Sequence, residues 1–145
     1  AGFTIETDKI ELLEKKLFAA AEKLLTKKHL ERTLRIDIIL EANLINQEIY
    51  NKIQKLKPFG MGNPEATFLT KDLKVENIRL LGQEGKHLKL KLSIGTKFFD
   101  AIAFGMGNGN GLTVGDIINV VYTLDENSWN GNYSLQLKIK DLKKN

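Results

Sequence analysis

Five stretches of strand-like sequence follow one another after Pro64, and no long helical pattern interrupts them. Segments rich in glycine and asparagine, which favour tight turns, separate these stretches. The predicted strands are Leu69–Leu81, Lys86–Ile94, Phe98–Phe104, Asp116–Leu124 and Tyr133–Leu142. Several short strands in sequence favour a small closed barrel, because closure removes the exposed edges of an open sheet. We therefore predict a five-stranded, OB-fold-like barrel over residues 67–145.

The first 66 residues mix helical and strand patterns. An apolar stripe from Ile10 to Leu24 has helical spacing and follows Asp8 and Glu11, which are spaced like a capping box. The segment Leu34–Leu40 alternates apolar and polar residues and predicts a half-buried strand. Asn46 then caps a second, shorter helix. The predicted fold class is mostly β, with a helix-strand-helix α/β segment ahead of the barrel.

Two connecting segments are unusual in composition. Pro58 and Pro64, the two prolines of the chain, bracket a segment that contains Gly60 and Gly62. This loop has two interpretations, a fixed corner between domains or a lining of a ligand path. The connection Gly105–Gly115 falls where OB barrels often carry a helix, and its glycine content predicts a flexible loop instead.

Composition excludes several classes of protein. The chain is 42% hydrophobic and 28% charged, and no apolar run approaches the roughly 20 residues that span a bilayer. It has no cysteine, and residues 1–5 do not resemble a secretory signal, so we expect a cytoplasmic protein without a membrane association. Two histidines and scattered carboxylates predict no metal site, no resident cofactor and no catalytic site in this chain.

Positive charge is concentrated in one part of the predicted barrel. The net charge is only +4. Between Arg79 and Lys97, however, there are five positive residues and a single negative one, Glu84. A local excess of this kind favours binding to a phosphate backbone.

The segment His87–Leu92 alternates strictly between leucine and a basic residue. We predict that the leucines point into the barrel and that His87, Lys89 and Lys91 lie on its outer face. Alternate residues of a strand are about 7 Å apart, close to the phosphate spacing of an extended nucleic-acid strand. A solvated surface kept soluble by lysine is the other interpretation of this pattern.

Aromatic residues near these cations are candidates for base stacking. They are Phe98, Phe99, Phe104, Tyr122, Trp129 and Tyr133. We expect at least two of the three phenylalanines to be buried, since most strand phenylalanines belong to the core. Trp129 lies beside the turn residues Asn130-Gly131, where it either stacks on a base or covers the end of the barrel.

Five sequence blocks, in order, resemble the C-terminal region of the RecJ family of exonucleases. The blocks are Pro58–Glu65, Gly85–Leu90, Asp100–Gly105, Asn127–Gly131 and Leu135–Asp141. Residues 1–5 also resemble the end of the glycine- and histidine-rich motif in the DHHA1 domain of that family. The resemblance covers essentially the whole chain, although residues 6–31 match in pattern more than in identity.

The resemblance implies a function and a domain organisation. Members of the family degrade single-stranded DNA from the 5′ end in repair and recombination, with two divalent metals, Mn or Mg, held by an N-terminal DHH domain. Residues 1–31 would end a DHHA1-like domain, residues 32–66 would lead into the barrel, and residues 67–145 would form the OB domain. Catalysis would then belong to residues outside this chain.

The same resemblance implies which residues contact the DNA. Lys86, His87, Lys89 and Phe104 lie in the matching motifs and are the first candidates, whereas Arg79, Lys91 and Trp129 are candidates from geometry alone. Their predicted role is to guide single-stranded DNA towards the catalytic domain. A second hypothesis is that the barrel docks a protein partner, such as single-strand-binding protein, whose acidic tail would meet the lysines.

Overall fold

The computed structural model describes residues 2–31, 33–107, 111–129 and 131–145, without the side chains of Trp129 and Asn132. The chain divides into two compact units, Ala1–Leu34 and Arg35–Asn145.

The first unit is helical. A 3₁₀ turn, Thr7–Lys9, leads into α1, Ile10–Leu24, and α2 spans Lys27–Leu30. The predicted apolar stripe is present on α1, but no residue of the helix is buried. The predicted capping box is wrong, because the 3₁₀ turn continues directly into the helix and no side chain caps its first residue.

The second unit begins with a short strand and a capped helix. Strand β1, Ile38–Ile39, pairs in parallel with Phe68 and Leu69. A 3₁₀ turn, Ala42–Leu44, precedes α3, Gln47–Gln54. The predicted cap is confirmed, because Asn46 Oδ1 accepts a hydrogen bond from the Ile49 N–H at 3.0 Å.

The strand predicted over Leu34–Leu40 is much shorter than its alternating pattern indicated. Leu40 is buried, but Ile36, Ile38 and Ile39 are exposed. In the part of the chain that the structure describes, the segment pairs only with Phe68 and Leu69. Alternation predicts burial of one face of a strand only where another layer covers that face. Within this unit no described residue covers Ile36, Ile38 or Ile39 in this way.

Five long strands form the barrel. They are β2, Phe68–Leu81; β3, His87–Ile94; β4, Lys97–Ala103; β5, Ile117–Trp129; and β6, Asn132–Lys144. In the described residues the strand order is β1-β2-β3-β4-β6-β5, and β5 also pairs with β2, which closes the barrel. The β4–β6 pair is parallel and the other pairs between barrel strands are antiparallel. This topology is the OB-fold, and it confirms the predicted fold class.

The strand bounds agree with the prediction except at the last hairpin. Strands β5 and β6 continue beyond the predicted Leu124 and Tyr133, and they pair as far as Trp129 and Asn132. The extra residues of β5 are Asp125–Trp129, and the first four of them are polar, so they have no alternation that would have indicated a strand.

The core is a continuous apolar cluster inside the barrel, and it also includes Leu40, Ile45 and Ile53 from the preceding segment. One polar pair lies within it. The Thr70 hydroxyl donates to the Leu40 carbonyl at 2.8 Å, and the Tyr122 hydroxyl lies 2.8 Å from Thr70 Oγ1. Burial raises the pKa of Tyr122 to about 12, so the phenol stays neutral and hydrogen-bonded in the folded protein.

Neither of the two unusual connections forms a helix in its described residues. The Asn63 amide donates to the carbonyls of Leu56, at 2.7 Å, and Pro58, at 3.0 Å, which ties the Pro58–Pro64 loop to the end of α3. No helix is present in the described residues of the Gly105–Gly115 connection, namely 105–107 and 111–115.

Candidate nucleic-acid interface

Strand β3 separates apolar and basic side chains onto opposite faces. Leu88, Leu90 and Leu92 are buried in the core, as the sequence predicted. His87 and Lys89 are half-buried and Lys91 is exposed on the other face. The leucines therefore fix the direction of the basic side chains, because alternate residues of a strand point to opposite faces.

Pairing with the neighbouring strands brings a further cation to this face. Arg79 of β2 lies directly opposite Lys89, and Asn77 lies opposite Lys91. On the other side, Lys89 is paired with Ile102 of β4, and Ile102 is paired in turn with Lys138 of β6. Basic side chains from three strands therefore share one face.

Part of this face is a shallow groove with a volume of about 360 Å³. Its lining consists of Asn77, Arg79, Lys89, Leu90, Lys91 and Asp100. Within the described part of the chain, Arg79, Lys89 and Lys91 form no ion pair. Like charges directly opposite one another on a sheet are destabilising. An anion bound between Arg79 and Lys89 would offset this repulsion and so stabilise the sheet.

Two exposed aromatic rings flank the groove, each beside a cation. Phe98 is 60% exposed, and Lys91 Nζ lies 5.9 Å from the centre of its ring. Phe104 is 52% exposed, and Lys138 Nζ lies 5.8 Å from its ring centre. Both distances fall in the range of cation–π contacts. Each ring therefore offers an apolar surface next to a positive charge, which suits a base and its phosphate.

Residues 36–141 match the family of the RecJ OB domain. The chain belongs to that family. A RecJ from Bacillus subtilis (strain 168), named a single-stranded-DNA-specific exonuclease, is 28% identical over 142 residues, which cover 97% of this chain and 18% of the relative. The RecJ of the same name from Thermus thermophilus is 33% identical over 109 residues, which cover 75% of this chain and 15% of the relative. The chain thus spans less than a fifth of the length of either relative.

Solved RecJ structures from Thermus thermophilus have the same fold. A structure in complex with Mg²⁺ matches with a TM-score of 0.76 at 24% identity, covering 99% of this chain and 21% of that chain. A structure in complex with Mn²⁺ matches with a TM-score of 0.74 at 26% identity, covering 99% of this chain and 20% of that chain. These similarities confirm the resemblance to the RecJ C-terminal region that the sequence blocks predicted.

The structure brings only some of the predicted site residues into the RecJ OB-domain groove. Arg79, Lys89 and Lys91 line it together. Lys86 precedes β3 and lies elsewhere, with its Nζ 3.5 Å from Glu84 Oε2. His87 accepts a hydrogen bond at Nδ1 from the Gly105 N–H at 3.1 Å. The side chain of Trp129 lies outside the described residues.

The expectation that at least two of the three phenylalanines are buried is wrong. Phe99 is buried, but Phe98 and Phe104 are exposed. Positions 98 and 104 share the outward parity of β4 with the half-buried Asp100 and Ile102. The exposed rings were therefore predictable from the period of the strand, which outweighs the general tendency of phenylalanine to be buried.

Sequence reasoning missed Asn77, Asp100 and Lys138. The alternation of the segment Leu135–Lys140 would have placed Lys138 on an outer face. The alternation does not reveal that β6 pairs in parallel with β4, because that pairing joins strands far apart in sequence. Asn77 lies next to a bulge between Val75 and Asn77, where the parity of the strand changes.

Among the described residues, no three His, Asp or Glu side chains are grouped so that they could hold a metal ion. These described residues therefore offer no ligand group that fits the Mg²⁺ or Mn²⁺ of the solved RecJ structures. No helix in the same residues is long and apolar enough to cross a membrane.

Proposed function

We propose that this chain binds single-stranded DNA on the groove face of its barrel, as the OB domain of a RecJ-type 5′-to-3′ exonuclease that acts in repair and recombination. The observation that carries the proposal is the group of three cations, Arg79, Lys89 and Lys91, which line one groove without an ion pair of their own among the described residues. The relatives of this chain are named single-stranded-DNA-specific exonucleases.

The electrostatics of the groove support a strand of phosphates as the ligand. Arg79 and Lys89 repel each other across the β2–β3 pair, and a phosphate between them would remove that cost. Lys89 and Lys91 lie on one strand about 7 Å apart, close to the spacing of successive phosphates in an extended strand. Surface lysines kept for solubility alone have no need to lie opposite an arginine.

The exposed rings support a single strand over a duplex. The bases of a duplex are stacked on each other, whereas those of a single strand are free to stack on protein aromatics. Phe98 and Phe104 are both exposed beside lysines. We propose that Phe104 and Phe98, both candidates for base stacking from the sequence, are stacking residues. Contacts from Lys86 and Trp129 remain predictions.

We infer that hydrolysis is carried out by residues outside this chain. We infer that Mn²⁺ or Mg²⁺ is held by a separate DHH domain, and that the barrel guides the strand towards it. In this organisation residues 1–31 end a DHHA1-like domain, residues 32–66 lead into the barrel, and residues 67–145 form the OB domain. The substrate implies a location with cellular DNA, which we infer to be the cytoplasm.

The proposal is tested by titrating the 145-residue chain against fluorescent oligo-dT at several salt concentrations. About three or four phosphate contacts predict that log K falls against log salt with a slope of about −2 to −3. Lys89→Glu should weaken binding by about tenfold or more at low salt. Lys55→Glu makes the same charge change at an exposed position at the end of α3 and serves as the matched control.

Three results would contradict the proposal. One is the absence of oligo-dT binding by the wild-type chain at low salt. Another is equal loss of binding in Lys89→Glu and Lys55→Glu, which would indicate attraction by net charge without a groove. Third, if Lys89→Glu binds DNA normally but fails to bind single-strand-binding protein, the face is a protein-docking surface instead.

A further inference from the structure

Two loops meet at the start of β3, and their close contact requires a glycine. The Gly107 N–H donates to the Lys86 carbonyl at 3.0 Å. A Cβ atom at position 107 would lie 1.6 Å from the Gly85 carbonyl oxygen, so no other residue fits there without a shift of the backbone. The segment after β4 is therefore held against the segment before β3.

His87 is enclosed at this junction. Its Nδ1 accepts a hydrogen bond from the Gly105 N–H at 3.1 Å. Its ring meets the Phe104 ring edge to face, with centroids 5.2 Å apart and an interplanar angle of 72°. On another side lies the backbone of Gly82, where a Cβ would approach His87 Cδ2 to 3.0 Å. The imidazole thus contacts both residues that follow β4, Phe104 and Gly105.

These contacts restrain the position of Phe104. Its ring is exposed, and Lys138 Nζ lies 5.8 Å from the ring centre. An exposed phenylalanine on a loose loop would have to be ordered each time a base stacked on it, and ordering weakens binding. A ring already held by His87 and by a fixed Gly105 backbone avoids that loss. The arrangement is pre-organised for one flat, apolar ligand group beside an anion.

We propose that Phe104 and Lys138 bind one nucleotide of the strand, with the base stacked on the ring and the phosphate at the ammonium group. In this site His87 is a positioning residue, which holds Phe104 and Gly105 through its ring and Nδ1 and does not contact the DNA. This inference rests on the proposed single-stranded DNA binding, and it specifies where one nucleotide lies.

The two nitrogen atoms of His87 allow the positioning role to be separated from a direct contact. Asparagine places an acceptor oxygen near the position of Nδ1, whereas glutamine places its polar atoms near Nε2. The positioning role needs an acceptor for the Gly105 N–H, which His87→Asn keeps and His87→Gln loses. A direct phosphate contact would need a donor at Nε2, which His87→Gln keeps and His87→Asn loses.

The test compares His87→Asn, His87→Gln and the wild-type chain in oligo-dT binding at low salt and in the ¹H–¹⁵N NMR signal of Gly105. We expect His87→Gln to bind about three- to tenfold more weakly and to shift the Gly105 signal, since a mobile platform must be ordered on binding. His87→Asn keeps the hydrogen bond to Gly105 and loses only the ring contact with Phe104, so its affinity should lie between that of wild type and that of His87→Gln. The reverse order of the two variants, or wild-type affinity in both, overturns the positioning role.

Phe104→Ala and Lys138→Ala change exposed side chains and keep the test informative if a His87 variant unfolds. Each should weaken oligo-dT binding, Phe104→Ala by about tenfold, since stacking is lost. Adding His87→Gln to Phe104→Ala should then weaken binding no further, because the platform is already absent. Additive losses, or normal binding by Phe104→Ala while Lys89→Glu still fails, would refute this site and leave the groove proposal standing. No binding by the wild-type chain would refute both.

Discussion

The two faces of β3 use the residues of one strand for different purposes. On the inner face Leu88, Leu90 and Leu92 are surrounded by the barrel core. On the outer face Lys89 and Lys91 line an open groove, where their nearest paired neighbours include another cation, Arg79. Burial stabilises the first set, and repulsion destabilises the second. One strand can therefore be divided into residues that hold the fold and residues that remain available for a ligand.

The largest effect that this division predicts is on the inner face. Leu92→Ala removes a side chain that is 0% exposed and does not line the groove, and it should lower the free energy of unfolding by about 3 kcal/mol in urea denaturation. At a temperature where the variant is folded, its affinity for oligo-dT should stay within about twofold of wild type. A large loss of affinity in the folded variant would show that the two faces are coupled, contrary to the division.

The two faces of a strand can be predicted from its local sequence only in some parts of the molecule. The alternation in His87–Leu92 indicated both faces correctly, because a strand in a barrel wall has one dry side and one wet side. The same kind of alternation in Leu34–Leu40 was misleading, because β1 lies at the edge of the sheet and the described residues of its own unit leave Ile36, Ile38 and Ile39 exposed. Local pattern predicts an element's faces only where a second layer is present.

The candidate site was predictable only in part for a related reason. Lys89 and Lys91 were found because they lie on one strand. Lys138 and Asp100 enter the same face through pairing between strands, which connects residues as far apart as Ile102 and Lys138. Register between distant strands is set by packing of the whole barrel, and no short segment encodes it.

A pH experiment sharpens the description of the inner face. Tyr122 hydrogen-bonds to Thr70 inside the barrel, and burial raises its pKa to about 12. Tyr122→Phe should cost about 1 kcal/mol at pH 7, since a buried hydrogen bond is lost. In the unfolded chain tyrosine ionises near pH 10, so the raised folded pKa stabilises the protein below pH 10, and this stability is lost as the pH rises towards 12.

The measurement is the unfolding free energy of wild type and Tyr122→Phe between pH 7 and pH 11. The advantage of wild type should shrink by roughly 1.4 kcal/mol over this range, mostly above pH 10, so that by pH 11 the wild type is no more stable than Tyr122→Phe. Tyr50 and Tyr133 are present in both proteins and cancel in the difference. A difference that is constant with pH would mean that the Tyr122 hydroxyl is not buried as described.

On the outer face a single substitution should move stability and binding in opposite directions. Lys89→Gln removes the repulsion with Arg79 directly opposite, so the free energy of unfolding should rise by a few tenths of a kcal/mol. Affinity for oligo-dT should fall about fivefold, and the salt slope should become shallower by about 0.7. If Lys89→Gln is less stable than wild type, the repulsion between the two cations is already relieved within the protein.

The smallest effect concerns Asp100, the carboxylate that lines the groove among the cations. It lies opposite Lys91 on the β3–β4 pair, yet in the described residues it forms no ion pair. A negative charge in a phosphate-binding groove lowers affinity, so Asp100→Asn should bind oligo-dT about two- to fivefold more tightly at low salt, and the gain should diminish as salt screens it.

Glu41→Gln, which neutralises an exposed carboxylate in the segment after β1 and outside the groove lining, is the matched control and should leave affinity unchanged. A fall in affinity for Asp100→Asn would instead mean that the carboxylate accepts a hydrogen bond from a base or holds Lys91 in place. If the carboxylate accepts a hydrogen bond from a base, the outer face is more than a row of positive charges, because Asp100 then contributes to recognition of the bases.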